Sequence, residues 1–161
     1  MTKLIATFFY VGHIKPAPGT WGSLAALPVA FVIFQLGGFT LFLPALGCSY
    51  ALGVWATRVQ TEGKDDHDPS EIVIDEVVGQ WIALLPVLAG ASQTGVPVSD
   101  LWPGWIAAFV LFRLFDITKI GPIGWADRRG DPVGVMLDDV IAGVFAALCV
   151  LILAALAHGM M

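Results

Sequence analysis

This 161-residue chain has three pairs of adjacent acidic residues, and two of them stand where a long apolar run begins. These two pairs are Asp75-Glu76 and Asp138-Asp139. Carboxylates in such a position repel one another unless they are protonated or bridged by a cation, and an acid entering a membrane helix is costly without a partner. Oxygen ligands of this kind suit Mg²⁺ or Mn²⁺. We therefore predict that these four residues form a metal site.

The segment before the first pair predicts a helix that begins near Pro69. Asp68 would cap this helix with Pro69 at its first position, which is a favoured arrangement. Glu71 and Asp75 would then stand four residues apart on one helix face. The more distant acids are expected to be solvated loop charges, and these are Glu62, Asp65 and Asp66.

A third polar segment, residues 113–119, closes another apolar run. If it is helical, Arg113, Asp116 and Lys119 share one face at spacings of three. Two interpretations stay open, a set of site residues or an intrahelical charge pair with Lys119 extending to the membrane interface. The following segment, residues 125–129, contains Trp125 and Arg128-Arg129, a composition typical of interfacial anchors.

The segment before the first long apolar run contains Gly22, Thr20 and Ser23 within the stretch Pro16 to Ser23. Glycine lets the backbone approach a ligand closely, and the two hydroxyls can donate hydrogen bonds. A helix that begins here would offer free amides to an anion. The alternative interpretation is a simple turn and helix cap.

Long gaps between charged residues predict the elements that position these groups. Gaps of 42, 23, 12 and 22 residues contain no Asp, Glu, Lys or Arg, and a membrane-spanning helix needs about 20 apolar residues. Gly37-Gly38 divides the longest gap and predicts a turn. The predicted membrane segments are Trp21 to Leu36, Phe39 to Thr57, Val77 to Gly90, Leu101 to Ile117 and Val140 to Ala157. We therefore expect an all-α integral membrane bundle of four to five helices, formed by a single domain over residues 1–161.

The positions of the basic residues predict the orientation of this bundle. All eight Lys and Arg residues fall in stretches that share one side of the five-segment arrangement, which places that side in the cytoplasm. The site is thus expected in loops at the cytoplasmic interface. The N-terminal residues are expected to lie at the membrane surface rather than to form a cleaved signal.

The net charge of −5 argues against a nucleic-acid partner. Cys48 and Cys149, both in apolar runs, are expected to be buried packing residues.

Four motifs occur in order along the chain. They are Pro18-Gly19-Thr20-Trp21-Gly22-Ser23; Asp68 to Glu76 with Gly79-Gln80; Phe115-Asp116-Ile117 with Lys119 and Pro122; and Gly134-Val135-Met136-Leu137-Asp138-Asp139 with Ala142-Gly143. With these motifs the chain resembles the bacterial phosphatidylglycerophosphatase A family over nearly its whole length. It departs from the family pattern at Ile120, where proline is usual, and at Asp131-Pro132, where a glycine-rich approach is usual.

The resemblance implies a Mg²⁺-dependent phosphatase of the bacterial inner membrane that converts phosphatidylglycerophosphate to phosphatidylglycerol and phosphate. On this hypothesis the metal ligands are Asp75, Glu76, Asp138 and Asp139. A water is activated by Glu71 or Asp116, and Lys119 offsets phosphoryl charge together with Arg113 or Arg128. The phosphate is held by Thr20, Gly22 and Ser23.

A second class of function has to be weighed against this one. A small membrane cation transporter, or a scaffold, could also place acids beside membrane helices. A transporter would set them near the middle of the membrane, where they line the path, whereas these acids cluster at the ends of the predicted spans. The sequence makes no prediction of an oligomeric state.

Overall fold

The computed structural model describes residues 1–64 and 69–159, and no strand occurs in that part of the chain. The helices are α1 (Thr2–Ala6), α2 (Pro18–Thr61), α3 (Ile74–Thr94), α4 (Trp102–Thr118), α5 (Pro122–Asp127) and α6 (Pro132–Gly159). Short 3-10 turns at Val11–His13 and Val98–Leu101 precede α2 and α4. The prediction of an all-α architecture is confirmed.

Helix α2 is a hairpin of two arms, residues 18–36 and 39–61. Gly37 and Gly38 between them are not helical, and Gly38 has a φ of +52°, a conformation that glycine adopts without steric cost. Both arms reach the same level of α3. Trp81 Nε1 donates to the carbonyl oxygen of Ala26 on the first arm at 2.9 Å, and the ring of Phe42 on the second arm lies 5.6 Å from the Trp81 ring. The predicted turn at Gly37-Gly38 is therefore present.

Four helices are long and apolar enough to cross a membrane, namely α2, α3, α4 with its preceding 3-10 turn, and α6. Because α2 is folded into two arms, five apolar segments pack side by side, in agreement with the predicted four to five helices. Helices α3 and α6 begin several residues earlier than the charge gaps indicated. The gaps ended at the acidic pairs, but both helices include these pairs. Asp75 and Glu76 lie in the first turn of α3, where the macrodipole stabilises carboxylates, whereas Asp138 and Asp139 lie in the second turn of α6.

Helix α3 lies at the centre of the bundle. In its most apolar 18-residue stretch 67% of the residues are buried, against 17–22% for the other three helices. Its closest neighbour is α6, and the two cross at paired glycines. A Cβ added to Gly143 would lie 2.4 Å from the carbonyl oxygen of Gly79, and one added to Gly79 would lie 2.6 Å from the carbonyl oxygen of Asp139. Only glycine allows the backbones to approach this closely.

The predicted helix start at Pro69 is wrong, because α3 begins at Ile74. The N–H of Val73 donates to the carbonyl oxygen of Ala6 in α1 at 2.9 Å, so the preceding residues pack against the N-terminal segment instead of forming a helical turn. Glu71 and Asp75 therefore do not share a helix face. Asp68, the expected cap, lies outside the described residues.

The departure from the family pattern at Asp131-Pro132 forms a helix cap. Asp131 Oδ1 accepts a hydrogen bond from the N–H of Gly134 at 2.5 Å, and Arg129 donates to the same carboxylate. These contacts hold the pKa of Asp131 below its ordinary value. Pro132 occupies the first helical position, where its missing N–H costs nothing.

The expectation that both cysteines are buried is wrong for Cys48, which is exposed, while Cys149 is half-buried. Both residues lie on membrane-spanning helices, whose outer surface is as apolar as their interior. An apolar run in a membrane protein therefore does not show which of its residues point inward.

Candidate active site

The polar residues of four helices meet in a cavity of about 280 Å³ at one end of the bundle. The first arm of α2 and the start of α3 contribute residues, as do the end of α4 and the first two turns of α6. The lining residues are Pro18, Gly19, Ser70, Ile72, Asp75, Glu76, Arg113, Asp116, Ile117, Lys119, Asp138 and Asp139. Most of the predicted site residues are thus brought together from segments that are distant in sequence.

Three carboxylates form the centre of the cavity. Asp75, Glu76 and Asp139 each offer one oxygen, and these oxygens lie within 4.8 Å of one another. Asp139 is 3% exposed and Asp75 is 6% exposed, so both acids are almost completely removed from solvent. This carboxylate trio joins the first turn of α3 to the second turn of α6.

The remaining predicted metal ligand, Asp138, is placed differently. Its carboxylate accepts a short hydrogen bond from Lys119 Nζ, which also donates to Asp127 Oδ1 at 2.7 Å. Lys119 ends α4 in a left-handed conformation with a φ of +49°, which turns its side chain toward α5 and α6. Burial lowers the pKa of Lys119, but the hydrogen bonds to Asp127 and Asp138 outweigh it and raise the pKa above its ordinary value. Lys119 is therefore a fixed positive charge at the cavity wall.

Arg113 is the second cation of the cavity. It forms an ion pair of 2.5 Å with Asp116 one turn later on α4, as the spacing of three predicted. Arg113 also lies 4.0 Å from Glu76 and donates to the hydroxyl of Ser23 at 3.5 Å. Asp116 is 8% exposed and lies beside Asp139. Arg113 thus connects α4 to both α3 and the first arm of α2.

The first arm of α2 reaches the site through its small residues. A Cβ added to Gly19 would lie 2.1 Å from Glu76 Oε1, and one added to Gly22 would lie 2.8 Å from the Val73 side chain. The hydroxyl of Ser23 donates to the carbonyl oxygen of Gly19 at 2.8 Å. Thr20 is half-buried and is not among the residues that line the cavity.

Two further predicted site residues, besides Thr20, Gly22 and Ser23, are not among those that line this cavity. Glu71 is exposed and lines a separate cavity of about 90 Å³ together with Lys3 and Lys64. Arg128 is exposed, and its guanidinium lies over Gly124 of α5.

Sequence reasoning missed two contributors to the site. Gly19 belongs to the Pro-Gly-Thr-Trp-Gly-Ser motif, but nothing in the motif shows which glycine faces the acids. Asp127 lies eight residues after its partner Lys119, a spacing that no single helix would produce. The turn between α4 and α5, in which Gly121 has a φ of +60°, brings Lys119 and Asp127 together. In the sequence, Gly121 is the residue that indicates this turn.

The composition of the cavity fits a divalent cation. Five carboxylates face two cationic side chains, and the oxygens Glu76 Oε2 and Asp139 Oδ1 are buried with no hydrogen-bond partner among the described residues. Buried carboxylate oxygens need a cation or a donor. Oxygen ligands from carboxylates are those that Mg²⁺ prefers.

Fold and site together define an integral membrane enzyme whose polar chemistry is confined to one end of a helical bundle. A family model described as Phosphatidylglycerophosphatase A matches residues 4–154. The chain therefore belongs to the phosphatidylglycerophosphatase A family, and it is a phosphatase. The predicted resemblance is confirmed.

Individual relatives agree with this assignment. The chain is 38% identical over 148 residues to Phosphatidylglycerophosphatase A of Haemophilus influenzae, covering 91% of this chain and 85% of the relative. It is 36% identical over 150 residues to Phosphatidylglycerophosphatase A of Escherichia coli, covering 89% and 78%. A protein of Bacteroides thetaiotaomicron named "Putative phosphatidylinositol-3-phosphatase" is 39% identical over 148 residues, covering 89% and 87%. No solved structure matches the chain.

Proposed function

We propose that this protein is a Mg²⁺-dependent phosphatase that hydrolyses the terminal phosphomonoester of phosphatidylglycerophosphate, giving phosphatidylglycerol and phosphate. One observation carries the proposal. A buried carboxylate trio stands beside two fixed cations, Arg113 and Lys119, in one cavity at the end of a membrane bundle. Such a site can hold a cation and an anionic phosphate at once, next to a lipid.

The trio of Asp75, Glu76 and Asp139 would hold the metal. When bound, Mg²⁺ supplies positive charge for the phosphoryl oxygens and lowers the pKa of a nearby water. Asp138 is assigned a different role from the one its sequence position suggested. Because its carboxylate is bonded to Lys119, it positions that ammonium group.

Asp116 is the residue best placed to accept a proton from the attacking water. It lines the cavity beside Asp139 and forms an ion pair with Arg113. The water oxygen forms a bond to phosphorus as the ester bond to the glycerol oxygen breaks. Asp116 takes the proton of the water, and the glycerol oxygen takes a proton from solvent at the mouth of the cavity. Glu71, the other candidate base, lines a different cavity.

Lys119 and Arg113 bind the phosphoryl oxygens. Both cations are already held by carboxylates, so little reorganisation is needed when charge develops in the transition state. Pro18 and Gly19 at the start of α2 also line this cavity. Pro18 has no N–H, so Gly19 carries the first amide of the helix, and a helix N-terminus favours an anion.

The proposed location is the bacterial inner membrane, with the site facing the cytoplasm. All eight basic residues belong to the end of the bundle that carries the site. The opposite end, which contains Gly37-Gly38 and residues 95–101, has no Lys or Arg. A cytoplasmic excess of basic residues is the usual arrangement in multi-pass membrane proteins.

The proposal is tested by measuring phosphate release by the detergent-purified protein. Phosphatidylglycerophosphate and phosphatidylinositol 3-phosphate are compared as substrates, each with Mg²⁺ and then with EDTA. We expect release from phosphatidylglycerophosphate that requires Mg²⁺. A preference for phosphatidylinositol 3-phosphate would contradict the proposed substrate, and release that is unaffected by EDTA would contradict the metal.

Two variants test whether the reaction takes place at the carboxylate trio. Asp139→Asn removes one charge from the trio and is expected to reduce release to the background of protein-free lipid. Asp100→Asn is the matched control, because Asp100 is exposed at the opposite end of the bundle, and its release should equal that of the wild type. Unchanged release by folded Asp139→Asn protein would show that the site lies elsewhere.

A further inference from the structure

Gln80 is a buried polar residue that the proposed mechanism does not use. It lies on α3 and has no exposed surface. Neither its Oε1 nor its Nε2 has a hydrogen-bond partner among the described residues. A buried amide without partners is destabilising, so a residue placed only for packing would be an apolar one.

Gln80 lies one helical turn after Glu76, a member of the carboxylate trio. It follows Glu76 by four residues, so the two side chains share one face of α3. The same face packs against α4, since Val87 contacts Gly104 near one end and Glu76 approaches Arg113 near the other. Gln80 therefore lies between these two contacts along α3.

The unpaired polar atoms of Gln80, Glu76 and Arg113 complement one another as donors and acceptors. Glu76 Oε2 is a buried acceptor and Arg113 Nε is a buried donor, and neither has a partner among the described residues. The carboxamide of Gln80 offers one donor group and one acceptor atom. A bridge from Arg113 through Gln80 to Glu76, made directly or through an ordered water, would satisfy all four groups.

We infer that Gln80 is a positioning residue for the metal site. Its Nε2–H donates toward the carboxylate of Glu76, and its Oε1 accepts from Arg113, so that Glu76 presents its other oxygen to the cation. This inference rests on the proposed function, because it assumes that the trio binds a divalent metal. Hydrogen bonds to a metal ligand orient it, and their loss typically lowers metal affinity 10–100-fold.

The test is Mn²⁺ binding to the detergent-purified full chain. The concentration of free Mn²⁺ is measured by electron paramagnetic resonance. Gln80→Met keeps the length of the side chain but removes both polar atoms. We expect the dissociation constant for Mn²⁺ to rise about 10–100-fold, while the apparent Tm measured without metal is nearly unchanged because Met fills a similar volume. Gln93→Met, at the exposed far end of the same helix, is the matched control and should bind Mn²⁺ like the wild type.

The outcomes distinguish a failure of the proposed metal site from a failure of the role inferred for Gln80. If the wild type binds no Mn²⁺, the proposed metal site is wrong. If the wild type binds and Gln80→Met binds equally well, the metal site stands and the role of Gln80 is refuted. If Gln80→Met lowers the apparent Tm in proportion to its loss of affinity, Gln80 is a packing residue and the inference is again refuted. Gln80→Leu, a shorter apolar variant, should reproduce the weakened Mn²⁺ binding if the lost hydrogen bonds are the cause.

Discussion

Adjacent acids on a helix point about 100° apart, and this separates the roles of Asp138 and Asp139. The carboxylate of Asp139 belongs to the trio, and the carboxylate of Asp138 pairs with Lys119. On the proposed function, Asp139 is a metal ligand and Asp138 supports the cation Lys119. The pair in the second turn of α6 thus contacts both α3 and the end of α4.

Lys119 is expected to contribute to catalysis rather than only to substrate binding. Lys119→Met removes a charge that Asp127 and Asp138 hold at the cavity wall, so kcat for phosphate release should fall about 10²–10³-fold. Lys64→Met removes an exposed lysine that lines the smaller cavity and serves as the control. A change confined to KM would instead assign Lys119 to ground-state binding.

The types of the site residues were predictable from the sequence, and their pairing was not. The acidic pairs and Lys119 stood out because charges at the ends of apolar runs need partners. Which member of Asp138-Asp139 joins the trio depends on the rotation of α6, and that rotation is set by contact with α3. Glu71 was misplaced for a similar reason, since the backbone contact between Val73 and Ala6 spans 67 residues of sequence and leaves no local signal.

At the scale of elements, the crossing of α3 and α6 fixes the distances within the site. The glycine contact between Gly79 and Gly143 lies next to the backbone of Asp139. Any side chain inserted there would push α6 away from α3 and move Asp139 away from Asp75. The helices themselves were predictable from the charge gaps, whereas this crossing required knowing which glycines face each other.

Gly143→Ala is expected to destabilise the protein and to weaken the site. Its Cβ would lie 2.4 Å from the carbonyl oxygen of Gly79, and overpacking of this kind lowers the apparent Tm by roughly 2–12 °C in a chain of this size. Gly47→Ala is the control, because no atom lies within 4 Å of its added Cβ and alanine favours the helix. Equal Tm values for the two variants, measured by thermal unfolding in detergent, would contradict the tight crossing.

At the scale of the whole molecule, charge separates the two ends of the bundle. The five apolar segments, which are the two arms of α2 and the helices α3, α4 and α6, alternate in direction. One side of the bundle therefore contains the start of the first arm, the end of the second arm, the starts of α3 and α6, and the end of α4. The basic residues share that side as well. Among the described residues, the carboxylates of the cavity also belong to that end.

The orientation can be measured with single cysteines in a background in which Cys48 and Cys149 are replaced by alanine. Ser99→Cys places an exposed thiol at the end opposite the site, and Lys15→Cys places one at the site end. In intact bacteria a membrane-impermeant maleimide should label Ser99→Cys alone, and after lysis it should label both. Labelling of Lys15→Cys in intact cells would show the reverse orientation.

The cavity opens beside apolar surface as well as toward water. Ile117 lines it while remaining 67% exposed on a membrane-spanning helix, so a molecule can reach the carboxylates from within the plane of the bilayer. Encounters with such a site occur in two dimensions. The rate should therefore follow the mole fraction of substrate in the micelle or bilayer rather than its bulk concentration, and adding inert detergent at constant total substrate should slow the reaction by surface dilution.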